Sequence, residues 1–131
     1  MLSMKLFLVL GMDTKTTVAE LKQLAKKFCD DRDWDQYHTP KDLAIGVITE
    51  ASELLEIFRF RSEQEIMQML SDPVKRDKIS EELADVLYFL LRFAQKYDVD
   101  LATAFHEKME KNAKNYPIEK SKGLNKKYTE L

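Results

Sequence analysis

The chain has 131 residues, of which 44% are hydrophobic and 34% charged, with a formal net charge of −2. That balance describes one folded domain with a core of useful size and excludes a disordered chain. It also leaves no global electrostatic pull on a nucleic acid polymer.

Three Gly and three Pro are too few for a turn-rich β architecture, and the supply of Leu, Lys, Glu and Ala favours helix. Cys29 is the only cysteine, which excludes an intramolecular disulfide and a Cys-based zinc site. It fits a reducing, cytoplasmic setting, and beside Phe28 it reads as a small core residue rather than a nucleophile. Residues 1–12, MLSMKLFLVLGM, are apolar but too short to span a bilayer, and no clean small-residue cleavage site follows. They read as a strand-like or disordered leader upstream of a start at Met12. No other stretch has the character of a membrane segment.

The elements follow in order. Thr17-x-x-Glu20 is a capping-box pattern, and Val18, Leu21, Leu24, Ala25 and Phe28 share one face, which predicts a helix over about 16–31. DRDWDQYHTP breaks that period. Thr39-Pro40 reads as N-cap and first helical residue of a helix to about 59, with Leu43, Val47, Ala51, Leu54, Leu55 and Phe58 inward. SEQE at 62–65 opens a short helix to about Leu70. SDP at 71–73 ends it and starts a helix over about 73–97, burying Leu83, Val86, Leu87, Leu90, Leu91 and Ala94. Asp98 to Asp100 forms a turn, and Asp100 caps a helix over about 101–115 that stops at Tyr116-Pro117. Residues 118–131 are polar and Lys-rich, and an extended or poorly ordered tail is expected there. Four long amphipathic helices on short connections predict an all-α helical bundle, its domain spanning 13–117.

Two of those helices carry an acidic pair beside the apolar stripe: Glu50/Glu53 and Glu82/Asp85. Residues three apart share a helical face, and antiparallel neighbours would bring the four carboxylates together. Four uncompensated carboxylates repel one another and resist burial. A hard divalent cation relieves both, and an all-oxygen set suits Mg²⁺ or Mn²⁺ rather than zinc. The spacing itself does not decide the matter. Chance alone yields about four acidic pairs at this separation, and the chain has five: 30/33, 50/53, 53/56, 82/85 and 107/110. A solvated helix edge therefore stands beside a metal site as a reading. A di-iron bundle would need Glu-x-x-His, which neither His38 nor His106 completes. No Gly-rich phosphate loop of the P-loop type is present.

EASE at 50–53 and EELAD at 81–85 resemble the paired E-x-x-E and E-x-x-D signatures of the MazG-like all-α nucleoside triphosphate pyrophosphohydrolases. RDWDQYHTPKDLA, KMEKNAKNYP and the terminal KYTEL are similar to the dCTP pyrophosphatase branch, so the resemblance runs from about Thr16 to Leu131. It implies a four-helix-bundle-like, oligomeric MazG-type fold, as a homodimer or homotetramer. It implies hydrolysis of a triphosphate, dCTP or a modified dCTP, to the monophosphate and pyrophosphate. Glu50, Glu53, Glu82 and Asp85 would then be Mg²⁺ ligands, with Glu53 the carboxylate that takes a proton from water. Glu56 and Glu81 would stand behind them or in solvent.

Trp34 resembles the base-stacking tryptophan of the family, with a buried anchor as its ordinary alternative. Lys108 and Asn112 resemble residues on the phosphate and sugar side, although a Lys so placed is commonly just solvated. His38 and Tyr116 would line the same pocket or serve as plain hydrogen-bonding residues. The basic tail, with Lys120, Lys122, Lys126 and Lys127, would close over phosphates or remain in solvent. Phe60 stands where vertebrate-like members carry a tryptophan and Phe89 where they carry a tyrosine, which leaves base selectivity open. The competing expectations are the same fold acting on dUTP or another nucleotide, and a non-catalytic helical interaction module.

Overall fold

The helix starts are set by side chains that accept otherwise unpaired amides. In a computed structural model, which describes residues 12–131, Thr17 accepts from Glu20 N at 3.1 Å, Thr39 from Asp42 N at 3.2 Å and Ser62 from Glu65 N at 3.2 Å. Asp72 accepts from Val74 N and Lys75 N at 3.0 and 3.2 Å, and Asp100 from Thr103 N at 3.0 Å. The elements are α1 Val18–Asp30, α2 Pro40–Phe58, α3 Glu63–Ser71, α4 Pro73–Lys96, α5 Leu101–Asn115 and α6 Ile118–Ser121. Single 3-10 turns occupy Asp35–Tyr37 and Tyr128–Glu130, and no strand occurs among the described residues. The expected leader lies outside the described residues except for Met12, which is exposed. No helix among the described residues is long and apolar enough to cross a membrane.

The all-α class agrees with the sequence pattern. The chain forms two compact units, one up to Asp98 and one over Val99–Leu131. In the first, α4 is the central element and packs chiefly along α2, with α1 and α3 against it as well. Its core is small: Ala25, Cys29, Leu43, Met69, Ile79, Leu91 and Ala94 are buried. In the second unit the tail is not simply extended, contrary to expectation. Pro117, at φ −62°, stands at the N-cap of α6, and the Tyr128 ring meets Tyr116 edge-on at 5.9 Å. Proline's preset backbone and an aromatic contact supply local order that charge content conceals.

Several residues expected inside are not. Leu55 is 68% exposed, Leu83 53%, Leu87 44% and Leu90 43%, and Ala51 is exposed too. The apolar faces of α2 and α4 are wider than the surface one chain can cover, so part of each stripe looks outward.

A close helix contact falls at Gly46 of α2. A Cβ added there would lie 2.4 Å from two ring carbons of Phe89 on α4 and 2.8 Å from its Cγ. The ring cannot retreat while its own Cγ is in the way, so Gly46→Ala should destabilise the protein by about 1–3 kcal/mol through overpacking. That outweighs the roughly 1 kcal/mol that alanine contributes in a helix. A lower melting midpoint in denaturant, at unchanged helix content, is the expected readout.

Candidate active site

Gly46, Glu50 and Glu53 follow one another at i, i+4 and i+7 on α2, while Phe89, Asp85 and Glu82 do so in reverse on α4. Gly46 meets Phe89 at one end of this face. Two turns away, ligand atoms of Glu50, Glu53 and Glu82 lie within 4.8 Å of one another. The two helices therefore run antiparallel here, and the carboxylates converge because the backbones do.

The three carboxylates differ in surroundings. Glu82 is 5% exposed, Glu50 is half-buried and Glu53 is exposed. Lys78, one turn before Glu82, donates to its Oε1 at 2.8 Å, whereas the buried Oε2 has no hydrogen-bond partner. Glu50 is pushed above the usual carboxylate range, first by burial, then by its hydrogen bond to Glu53 and by the charges of Glu53, Asp85 and Glu82. Asp85 is exposed and does not share the tight cluster, but its charge reaches Glu50. Glu56 pairs with Arg59 at 3.5 Å and Glu81 with Lys78 at 3.7 Å, so both are engaged elsewhere. Mutual repulsion together with an orphaned buried oxygen gives this acidic group the chemistry that a hard divalent cation would relieve.

The aromatic and polar candidates fall in both units. Trp34 is 39% exposed, so it is not a buried anchor, and its ring meets Phe28 edge-on at 5.5 Å. Phe60, at φ 62° and 90% exposed, has the Arg59 guanidinium 4.5 Å from its ring centroid. Phe89 is occupied with Gly46 and with Tyr88, whose ring lies 5.0 Å away. In the second unit, Lys108, Asn112 and Tyr116 follow at four-residue spacing; Asn112 is half-buried and Lys108 exposed. His38 accepts from Arg92 Nε at Nδ1, 2.9 Å away, and its carbonyl accepts from Tyr97 Oη at 2.8 Å.

Sequence reasoning missed Arg92 and Lys78. Arg92 is 1% exposed, although an arginine within LLRFAQK ordinarily reads as solvated. The available signal was its helical face, shared with Tyr88 and Gln95. Lys78 lies four residues before Glu82, the spacing of an ordinary helical ion pair.

Geometry and motifs together define a class: the chain belongs to the MazG-like family, whose profile matches residues 45–131. Among its relatives, dCTP pyrophosphatase 1 of Rattus norvegicus is 36% identical over 115 residues, covering 88% of this chain and 68% of the rat protein. The protein of that name from Homo sapiens is 35% identical over 115 residues, with the same coverage of 88% and 68%. The crystal structure of a pyrophosphatase from Archaeoglobus fulgidus matches with a TM-score of 0.70 and 40% identity, over 76% of this chain and 91% of that one.

The loop before α2 should respond to acid. Burial first, then the charges of Arg92 and Lys96, hold His38 below its usual 6.5, against the opposing pull of Asp35 and Asp42. The folded state thus binds that proton less readily than the unfolded chain, and stability falls as pH drops from 6.5 through the lowered value. Asp35 is held below 3.8, chiefly by its hydrogen bond from Lys96, so its contribution is present above 3.8 and is lost at more acid pH. Glu50, held high, works the other way, so the His38 contribution is read as a difference: between about pH 8 and pH 5 the wild type should lose melting temperature relative to His38→Asn, which keeps an acceptor without a titrating ring.

Proposed function

We propose that this protein hydrolyses dCTP, or a modified dCTP, to the monophosphate and pyrophosphate, using a divalent cation held by Glu50, Glu53, Glu82 and Asp85. Its family and relatives make it a nucleoside triphosphate pyrophosphohydrolase. The single observation that carries the cation reading is Glu82: a carboxylate 5% exposed, with one oxygen on Lys78 and the other unpartnered. A solvated acidic edge on an interaction module would have no reason to bury it. Mg²⁺ is the first choice for an all-carboxylate set, with Mn²⁺ next.

When bound, the cation supplies charge neutralisation of the triphosphate and Lewis-acid polarisation at the α-phosphoryl group. The chain's own residues do the rest. Glu53 is the exposed member of the tight cluster, open to solvent beside Glu50 and Glu82, and it takes the proton from the attacking water. Oxygen of that water bonds to the α-phosphorus, the bond to the bridging oxygen breaks, and pyrophosphate leaves. Trp34 offers an indole face to the base, and Phe60 a second exposed ring. Lys108 supplies positive charge for the phosphates, with Asn112, Tyr116 and His38 as polar contacts to sugar and phosphate. The choice of cytosine follows the names of the curated relatives. Phe89 has no hydroxyl to offer a base, and its ring is spent on packing.

Pyrophosphate release should be measured over a panel of deoxy- and ribonucleoside triphosphates with Mg²⁺. The expected result is a preference for dCTP, a loss of roughly 10²–10⁴-fold in Glu53→Ala, and no release after chelation. Added Mg²⁺ should raise the melting temperature of chelator-treated protein. Preference for dUTP or another triphosphate would retain the chemistry and overturn the substrate. No release from any nucleotide, with no thermal response to the cation, would favour the interaction module.

The outward leucines of α4 suit a second copy of the chain, and we propose a homodimer or a dimer of dimers in the cytoplasm. Leu83, Leu87 and Leu90 stand at helical spacing and are each more than two-fifths exposed. Light scattering should give a multiple of 15.4 kDa for the wild type, and Leu87→Glu should shift the mass toward that of one chain.

A further inference from the structure

The segment between α1 and α2 carries both Trp34 and His38, yet by itself it is closed only by short turns. Trp34 N donates to Cys29 O at 3.1 Å, Tyr37 N to Trp34 O at 3.0 Å and His38 N to Asp35 O at 3.1 Å. Gln36 Nε2 donates to Asp33 O at 3.0 Å, and Asp33 itself sits at φ 53°. These bonds shape the loop without tying it to α4.

The ties to α4 come from the C-terminal end of that helix. Arg92 donates from Nε to His38 Nδ1 at 2.9 Å, from Nη2 to Asp35 Oδ1 at 2.8 Å and from Nη1 to Gln95 Oε1. Lys96 Nζ donates to Asp35 O at 2.6 Å, and Tyr97 Oη to His38 O at 2.8 Å. Arg92 is the centre of this set and, at 1% exposure, its guanidinium has been taken almost wholly out of water.

We propose that Arg92 is a positioning residue for the nucleotide-binding loop: it holds His38 as the neutral Nε2–H tautomer and keeps Trp34 set for the base. The tautomer follows from donor arithmetic. A guanidinium does not lose its proton, so Nε–H donates and the imidazole nitrogen facing it must be bare. A neutral ring then carries its proton on Nε2. His38 thereby presents a fixed donor, suited to an oxygen of the sugar or phosphate. The burial argues the same way. A buried charge is a poor source of stability, since apolar residues of like volume often serve as well or better. Three partners at fixed angles are what a planar guanidinium supplies and an ammonium does not. The part of the proposal that concerns His38 and the loop stands on this geometry alone, and the part that concerns the base rests on the function proposed above.

The test has readouts for each part. Trp34 is the only tryptophan and His38 is one of two histidines, so both report singly once His106→Gln removes the second imidazole. In ¹⁵N-labelled protein near neutral pH, long-range histidine spectra should show bare Nδ1 and protonated Nε2 for His38. Arg92→Lys should mix the tautomers and make Trp34 more accessible to acrylamide. It should also raise KM for the preferred triphosphate roughly tenfold, the loss of about one charge-assisted hydrogen bond, with kcat little changed. Unchanged tautomer and quenching in Arg92→Lys would overturn the proposal. If that variant fails to fold, Asp35→Ala, which alters a residue 62% exposed at its side chain, should still raise Trp34 quenching, and no change would again overturn it. Altered spectra with an unchanged KM would remove the nucleotide part and leave the loop anchor. Altered spectra with no turnover by the wild type would instead remove the proposed function.

Discussion

The first unit depends on one close approach, that of α2 to α4 at Gly46. The ring of Phe89 lies where a side chain at that position would be, which lets the two backbones come near enough for carboxylates two turns along to meet. Interiors pack at crystal-like density, so a contact this tight sets the register of the whole helix pair. Move α4 by one residue and its side chains swing about a quarter-turn away, and Glu82 no longer faces Glu50 and Glu53. The site is thus a consequence of a packing contact rather than of anything acidic residues do for themselves.

Among the described residues two charged side chains are buried, and they are resolved in opposite ways. Arg92 is surrounded by acceptors, one from His38, one from Asp35 and one from Gln95. Glu82 is met by Lys78 on one oxygen only, while neighbouring carboxylates add repulsion. A satisfied buried charge holds structure in place; an unsatisfied one stores a capacity to bind. The protein therefore has a rigid polar anchor at one end of α4 and a chemically hungry cluster toward the other. Between them lies the Cys29–Tyr88 contact, 2.9 Å from Sγ to Oη, with burial pushing the Tyr88 hydroxyl well above its usual range. That contact ties α1 to α4 within the core.

Much of the fold was legible because helix signals are local. Thr17 with Glu20, and Ser62 with Glu65, each form both halves of a capping box, and Pro40 and Pro73 stand where a missing amide does no harm. The acidic pairs were legible as pairs, and the tight grouping of Glu50, Glu53 and Glu82 followed once α2 and α4 were neighbours. What periodicity overstated was the core: Leu83, Leu87 and Leu90 fit the stripe perfectly well and still face outward. An apolar stripe says which side of a helix avoids water, not which chain covers it. Arg92 was invisible for the converse reason, since its burial depends on acceptors from a loop more than fifty residues earlier in the chain.

The sequence by itself determined what near neighbours along the chain decide: the all-α class, the helix starts and stops, the pairing of carboxylates on single faces and the family to which they point. Helix bonds and caps link residues three or four apart, and faces and motifs follow from the same short spacings, so all of that is written locally in the chain. The tertiary structure alone decided which carboxylates converge, that Glu82 is buried with a free oxygen, that Asp85 stands apart, and that the loop bearing Trp34 and His38 is pinned by Arg92. Those outcomes depend on the separation of distant backbones to within an ångström, and at Gly46 that separation is set by the absence of a single carbon atom.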